Sequence, residues 1–209
     1  MVDGKQAVRG VLWNTCFLYA RDLQCYNIKM NNKIEITTKN ASETKKLGSL
    51  LAKTIIDGSP TSINSTIISL EGDLGTGKTT FTQGFAEGLG IREKIQSPTY
   101  VILKIYNLTA SASRKRANDI FTSDKKNKIL LKRAKASGNK KFIHIDAYRV
   151  GPKDFVILGW KNFIKNPNNI IMVEWGDRIK KILPKNTTHI LFSHQKCDER
   201  KIKFFNETK

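Results

Sequence analysis

The segment Gly72-Asp73-Leu74-Gly75-Thr76-Gly77-Lys78-Thr79 constrains this chain more than any other feature. It fits the pattern Gly-x-x-x-x-Gly-Lys-Thr, and it lies between a strand-like run and a helix-like run, the context in which that pattern carries meaning. Thr66-Ile67-Ile68-Ser69-Leu70 reads as a buried strand running into the loop. After it, Phe81, Phe85 and Leu89 recur four residues apart, which puts an apolar stripe on a helix ended by Gly88 or Gly90. Glycines let the backbone curl so that its N–H groups line a concave anion site that a Cβ would obstruct. The start of the helix adds about half a positive elementary charge, the Lys78 ammonium reaches the β and γ phosphates of a nucleotide, and the Thr79 hydroxyl is placed to ligate Mg2+. The candidate phosphate-binding residues are therefore Gly72, Asp73, Leu74, Gly75, Thr76, Gly77, Lys78, Thr79 and Thr80.

The remaining periodicity fits a sheet around this loop. Ile34-Glu35-Ile36-Thr37 alternates as a short strand, and Leu47, Leu50, Leu51 and Ile55 follow at helical spacing behind Ser42 as the expected cap. Further strands are expected at Tyr100–Ile105, Phe142–Asp146, Ile170–Glu174, His189–Phe192 and Lys201–Phe205. Several are apolar on both faces, as strands of a mainly parallel sheet covered on both sides are. The expected fold is therefore an α/β three-layer, P-loop NTPase-like domain whose central sheet is flanked by helices. It spans residues 30–209, preceded by an extension over residues 1–29, with Met30 as a second possible start.

Two carboxylates end apolar strands. Asp146 closes Phe142-Ile143-His144-Ile145-Asp146 and Glu174 closes Ile170-Ile171-Met172-Val173-Glu174. A lone buried charge there would be costly, so each needs a partner, either a metal and phosphate site or a salt bridge with Arg149 or Arg178. His144 reads as a packed or hydrogen-bonded strand residue rather than a general base. The chain has neither Asn-Lys-x-Asp after the loop nor Asp-x-x-Gly, which weighs against a guanine-specific GTPase, and no Leu-Ser-Gly-Gly, which weighs against a transporter ATPase.

Lys and Arg number 37 against 18 Asp and Glu, a formal charge of +19 that favours polyanionic partners such as RNA. A base-composition bias toward A and T would enrich Lys, Asn and Ile equally. About half of the excess lies in a basic insertion at about 107–141, with eleven Lys or Arg and two Asp. At about 35 residues it is too long for an ordinary structureless loop, so it is disordered or carries its own helix, and it is either a solvated insert or an RNA-contacting arm. Cys16, Cys25 and Cys197 match neither a disulfide framework nor a zinc site, which implies a reducing, cytoplasmic compartment. No run approaches the roughly 18 apolar residues of a membrane span.

Four motifs in order resemble the TsaE (YjeE) family: Leu70-Glu71-Gly72-Asp73-Leu74-Gly75-Thr76-Gly77-Lys78-Thr79-Thr80-Phe81, Ser97-Pro98-Thr99-Tyr100, His144-Ile145-Asp146-Ala147-Tyr148-Arg149 and Glu174-Trp175-Gly176. The resemblance runs from about Ile34 to Phe205. It implies a Mg2+-dependent ATPase serving the threonylcarbamoyladenosine modification of tRNAs that read codons beginning with A, acting with a TsaD–TsaB heterodimer. It further implies that Lys78 holds phosphate, that Thr79 and Glu174 serve Mg2+, and that Asp146 activates or positions water. Ser97, Thr99 and Tyr100 would belong to a switch-like loop beside the γ phosphate, and Trp175 would lie beside the site unless it is only a core aromatic. The sequence departs from the family pattern in residues 1–29, in the basic insertion, and at Gly176, where proline is common. With no arginine evidently placed as a finger, hydrolysis alone is expected to be slow and partner-stimulated. The alternatives are a P-loop small-molecule or nucleoside kinase, with Arg114, Lys115 and Arg116 imitating a lid, and a non-catalytic RNA-binding protein ordered by ATP.

Overall fold

The computed structural model describes residues 29–30, 34–57, 65–93, 95, 103–108 and 140–206. The elements in chain order are β1 (Lys29–Met30), β2 (Ile34–Thr38), α1 (Ala41–Asp57), β3 (Thr66–Glu71), α2 (Lys78–Gly88), β4 (Leu103–Asn107), β5 (Lys141–Asp146), α3 (Pro152–Ile157), α4 (Trp160–Lys165), β6 (Asn169–Glu174), a 3-10 helix (Gly176–Ile182), β7 (Thr188–His194) and β8 (Arg200–Asn206). The described strands form one sheet in the order β1-β2-β8-β7-β3-β6-β5-β4. Its centre, β7-β3-β6-β5, is parallel throughout, and both flanks are antiparallel. The expected mainly parallel sheet is thus found at the centre, where both faces are covered; the antiparallel pairs lie toward the edges.

Alternation along the central strands sorts their side chains between two cores. Ile68 and Leu70 of β3, Phe142 of β5, Met172 of β6 and Ile190 and Phe192 of β7 meet Leu47 and Leu51 of α1 and Phe81 and Phe85 of α2. Ile67, Ile143, Ile145, Ile171 and Val173 point to the other face, against Phe155 of α3, Trp160 of α4 and Ile179 of the 3-10 helix. The three-layer expectation follows directly from strands apolar on both sides. Helices α1 and α2 approach closely because glycines face the contact: a Cβ on Gly84 would lie 1.9 Å from the Lys45 carbonyl oxygen, and one on Gly48 2.3 Å from that of Phe81. That contact fixes α2, and with it the loop from which α2 springs.

Several sequence expectations shift. Helix α1 begins at Ala41, and the capping side chain is Asn40, not Ser42: Asn40 Oδ1 accepts from the Glu43 N–H at 2.9 Å. Glu43 reaches back to the Lys39 N–H at 2.8 Å. Ser42 lies inside the first turn, where a hydroxyl no longer meets the free amides that a cap serves. The strand expected at Tyr100–Ile105 is described over Leu103–Asn107, antiparallel to β5. The short helices α3 and α4 and the 3-10 helix were not expected, being too short to display a period, although Pro152 in the first turn of α3 and Asp154, which accepts the Gly151 N–H at 2.8 Å, mark a helix start. Residues 1–28 of the expected extension, residues 109–139 of the basic insertion, and the Ser97-Pro98-Thr99-Tyr100 loop lie outside the described residues.

Candidate functional site

The glycine-rich loop leaves β3 at Glu71 and enters α2 at Lys78. Gly72, Gly75 and Gly77 have φ of 119°, 80° and 102°, backbone that side-chain-bearing residues resist. At Gly72 sterics add to this, because a Cβ would lie 2.1 Å from the Phe192 carbonyl oxygen of neighbouring β7. Gly77 caps α2 without any side-chain hydrogen bond, and the first intrahelical bond runs from the Phe81 N–H to the Gly77 carbonyl at 2.9 Å. The amides of Lys78, Thr79 and Thr80 therefore precede the helical ladder and have no intrahelical acceptor, which is what an anion at a helix start requires. Thr76 steadies the curl through its hydroxyl, 2.7 Å from the Asp73 carbonyl.

Lys78 is 4% exposed, and its ammonium donates to the carbonyls of Gly72 at 2.7 Å and Asp73 at 2.6 Å. The same ammonium sits 3.9 Å from the centre of the Trp175 ring, a cation–π contact. Burial pushes the Lys78 ammonium below its ordinary pKa, and the carboxylates of Glu174, Asp177, Asp73 and Asp146 recover part of the loss. The side chain is thus a cation held in the mouth of an amide-lined loop by neutral acceptors, poised for a stronger anionic partner.

Parallel pairing of β5 with β6 sets Asp146 directly beside Glu174, so the sheet brings both sequence-predicted carboxylates to one strand end. Glu174 is 2% exposed and accepts three hydrogen bonds: from Thr79 Oγ1 at 2.7 Å, from Thr82 Oγ1 at 3.2 Å, and across 2.9 Å from His144 Nε2. Its charge is met by these groups rather than by Arg149 or Arg178, the salt-bridge partners considered from sequence. His144 is, as expected, a packed strand residue: it stacks on Phe142 with 9° between the rings and positions Glu174. Asp146 accepts the Tyr148 N–H at 2.9 Å. Trp175 has φ 61° and ψ 40°, a left-handed conformation costing a non-glycine residue roughly 1–2 kcal/mol. Its ring is held by Lys78 on one contact and by Tyr148 at 5.0 Å on another, with the Arg178 guanidinium 4.7 Å from Tyr148 and 5.5 Å from Trp175. Gly176 admits no side chain, since a Cβ would meet Ser69 Oγ at 2.0 Å.

Leu74, Gly75, Gly77, Lys78, Thr79, Thr80, Glu174 and Trp175 line a cleft of about 150 Å³. The family model described as threonylcarbamoyl adenosine biosynthesis protein TsaE matches residues 38–122 and 129–202 of the sequence, a span that contains the loop, the Asp146 strand and the Glu174-Trp175-Gly176 motif in order. The chain belongs to the TsaE family. Curated TsaE relatives, each named a tRNA threonylcarbamoyladenosine biosynthesis protein, include that of Bacillus subtilis, 32% identical over 80% of this chain and 82% of the relative. That of Nostoc is 30% identical over 73% and 72%. That of Treponema pallidum is 27% identical over 73% and 86%. Among solved structures, Bacillus subtilis YdiB superposes with a TM-score of 0.52 at 28% identity, covering 86% of each chain. TsaE membership assigns this chain to tRNA threonylcarbamoyladenosine biosynthesis.

Three contributions to this TsaE site were not read from the sequence. Thr82 lies three residues after Thr79, one helical turn along, so helical spacing alone could have put both hydroxyls toward one carboxylate. Tyr148 and Arg178 form the stack behind Trp175, and no spacing announced it. His194 and Arg200 flank the loop from β7 and β8, near Gly75 and Gly77 respectively, and only strand pairing brings them there. Among the described residues no group of three His, Cys, Asp or Glu could hold a metal by itself, and no helix is long and apolar enough to cross a membrane.

Proposed function

We propose that this TsaE-family chain binds ATP with Mg2+ in the glycine-rich loop and hydrolyses it, slowly alone and faster on a TsaD–TsaB heterodimer. The observation that carries this reading is the Thr79 hydroxyl 2.7 Å from the Glu174 carboxylate, at the mouth of a loop that already holds a buried lysine. Two hard oxygen donors meeting at one point beside an anion site suit Mg2+, which keeps waters and phosphate oxygens as its other ligands rather than demanding an all-protein cage. When bound, Mg2+ would neutralise charge on the β and γ phosphates.

The chain's own residues divide the work as follows. The helix-start amides and Lys78 hold and orient phosphate; Lys78 exchanges two carbonyl acceptors for anionic ones and regains a fully favourable charge. Thr79 and Glu174 hold the metal, with His144 and Thr82 fixing the carboxylate from behind. Asp146, beside Glu174 on β5, positions the attacking water. Trp175 closes over Lys78 and keeps bulk water from it. Hydrolysis resets an assembly whose tRNA chemistry belongs to the partner, and tRNA is engaged indirectly or through the basic insertion.

Phosphate release from ATP tests this, measured with and without TsaD–TsaB and unmodified tRNA. Slow release alone, raised only by the full set, is expected. Fast turnover indifferent to the partners would overturn the partnership, and no turnover under any condition would overturn the activity.

A further inference from the structure

Glu71 ends β3 one residue before the glycine-rich loop, and the nucleotide chemistry above makes no use of its carboxylate. By strand alternation it shares with Ile67 and Ser69 the face of β3 turned away from α1 and α2. The side chain is mostly buried there, and a carboxylate taken from water needs donors. Ser69 Oγ donates to Oε1 at 2.9 Å, and His189 Nδ1 of β7 donates to the same oxygen at 2.6 Å. Register explains the second bond: Ser69 and His189 are direct partners in the β3–β7 pair, so Glu71, two residues past Ser69, reaches back across the pair to the ring. Stacking on Phe205 of β8, with centroids 5.3 Å apart and 22° between the planes, holds the imidazole in that orientation. Burial by itself would raise the Glu71 pKa, but the bonds from His189 and Ser69, with the nearby charge of Lys180, outweigh it and hold the carboxyl below its ordinary value.

This buried cluster stands behind two of the groups that hold Lys78. Glu71 leads directly into Gly72, which abuts the Phe192 carbonyl and whose own carbonyl accepts from Lys78 Nζ. Ser69 backs Gly176, where a Cβ would lie 2.0 Å from its Oγ, and Gly176 follows Trp175, whose ring covers the Lys78 ammonium at 3.9 Å. A shift of either group moves the lysine, and a misplacement of about 1 Å in a site that relies on fixed geometry costs about a hundred-fold.

We propose that Glu71 is a positioning residue: bonded to Ser69 and His189 on the rear face of β3, it fixes the Gly72 carbonyl and the Trp175–Gly176 turn and so presets Lys78 for phosphate. The link to phosphate rests on the reading proposed above, whereas the hold on the loop stands without it.

Amide hydrogen exchange and calorimetry with ADP and Mg2+ test this on the full chain, for the unaltered protein, Glu71→Leu, His189→Leu and Glu71→Gln. The two leucine variants delete one bond from its opposite ends, whereas Glu71→Gln offers both donors an Oε1 in the same place. Expected in the leucine variants without nucleotide is exchange about ten-fold faster, confined to the amides of 72–80 and 175–178, with unaltered rates in β5. Their ADP affinity should fall about ten-fold, and Glu71→Gln should keep both the slow exchange and the affinity. Faster exchange spread evenly through the sheet would overturn the proposal, since it would mark a purely structural residue. Unaltered loop exchange, or unaltered ADP affinity, in a folded leucine variant would overturn it as well; if one leucine variant fails to fold, the other decides. Should the unaltered protein take up no ADP, the phosphate reading falls, and the exchange rates by themselves still decide whether Glu71 holds the loop.

Discussion

Glu174 separates folding from chemistry, and two substitutions at this one position show how. The carboxylate is 2% exposed, with Oε1 facing His144 Nε2 and Thr82 Oγ1, and Oε2 facing Thr79 Oγ1. In Glu174→Gln the amide oxygen can keep the Oε1 position and its two donors, while the NH2 takes the Oε2 position and Thr79 turns its hydroxyl to accept. Every hydrogen bond survives in neutral form, and the expected change in stability is within about 1 kcal/mol. In Glu174→Ala the three donors fare unequally. Thr82 falls back on the Lys78 carbonyl, already 3.0 Å away, and Thr79 borders the open cleft and finds water. His144 cannot do either: it is fully buried and its Nδ1 has no hydrogen-bond partner among the described residues, so losing Glu174 strands the second ring nitrogen as well. One stranded buried polar group costs about 1–3 kcal/mol, and the vacated carboxyl volume adds to that. For a chain of this size the sum is a fall of roughly 5–10 °C in unfolding temperature. Thermal and denaturant unfolding of both variants, alongside Mg2+-dependent ATP turnover, is the assay. Both variants should lose turnover, and only Glu174→Ala should lose stability. A Glu174→Ala protein as stable as the unaltered chain would refute the account of His144, and a fully active Glu174→Gln would refute the metal role of the carboxylate.

Burial holds the Lys78 pKa below its unfolded value, so between the two the unfolded chain binds more protons and this group's contribution to stability rises with pH. Lys78→Met should remove that alkaline slope, and nucleotide uptake at alkaline pH should draw in a proton, read as a dependence of calorimetric heat on buffer ionisation enthalpy. An uptake heat independent of buffer would contradict a depressed Lys78. Gly72→Ala places a Cβ 2.1 Å from the Phe192 carbonyl on backbone of φ 119° and should cost at least about 2 kcal/mol, seen as a lower denaturant midpoint. A Gly72→Ala protein of unaltered midpoint would mean that β7 does not press against the loop.

Much of this protein was legible from local pattern. The run Thr66–Leu70, the glycines at 72, 75 and 77, and the four-residue spacing of Phe81, Phe85 and Leu89 each depend on residues within a turn or two of one another. Strand, loop and helix were therefore fixed by chain-local physics before any tertiary contact. Asp146 and Glu174 could be named because a charge closing an apolar strand demands a partner. What linear spacing could not supply was who that partner is. His144 meets Glu174 only because β5 and β6 lie parallel in register, and Trp175 covers Lys78 only because a left-handed residue turns the chain back over the loop. Arg178 went to Tyr148 and Trp175 instead of to a carboxylate, a choice between acceptors that depends on where the 3-10 helix packs. His194 and Arg200, well over a hundred residues from the glycine loop, reach its flank through the pairing of β7 with β3 and of β8 with β7. Side chains at a strand end converge by sheet order and register, which are properties of the assembled sheet and of no single segment. The sequence therefore named the loop's chemistry, and the tertiary structure decided which groups surround it.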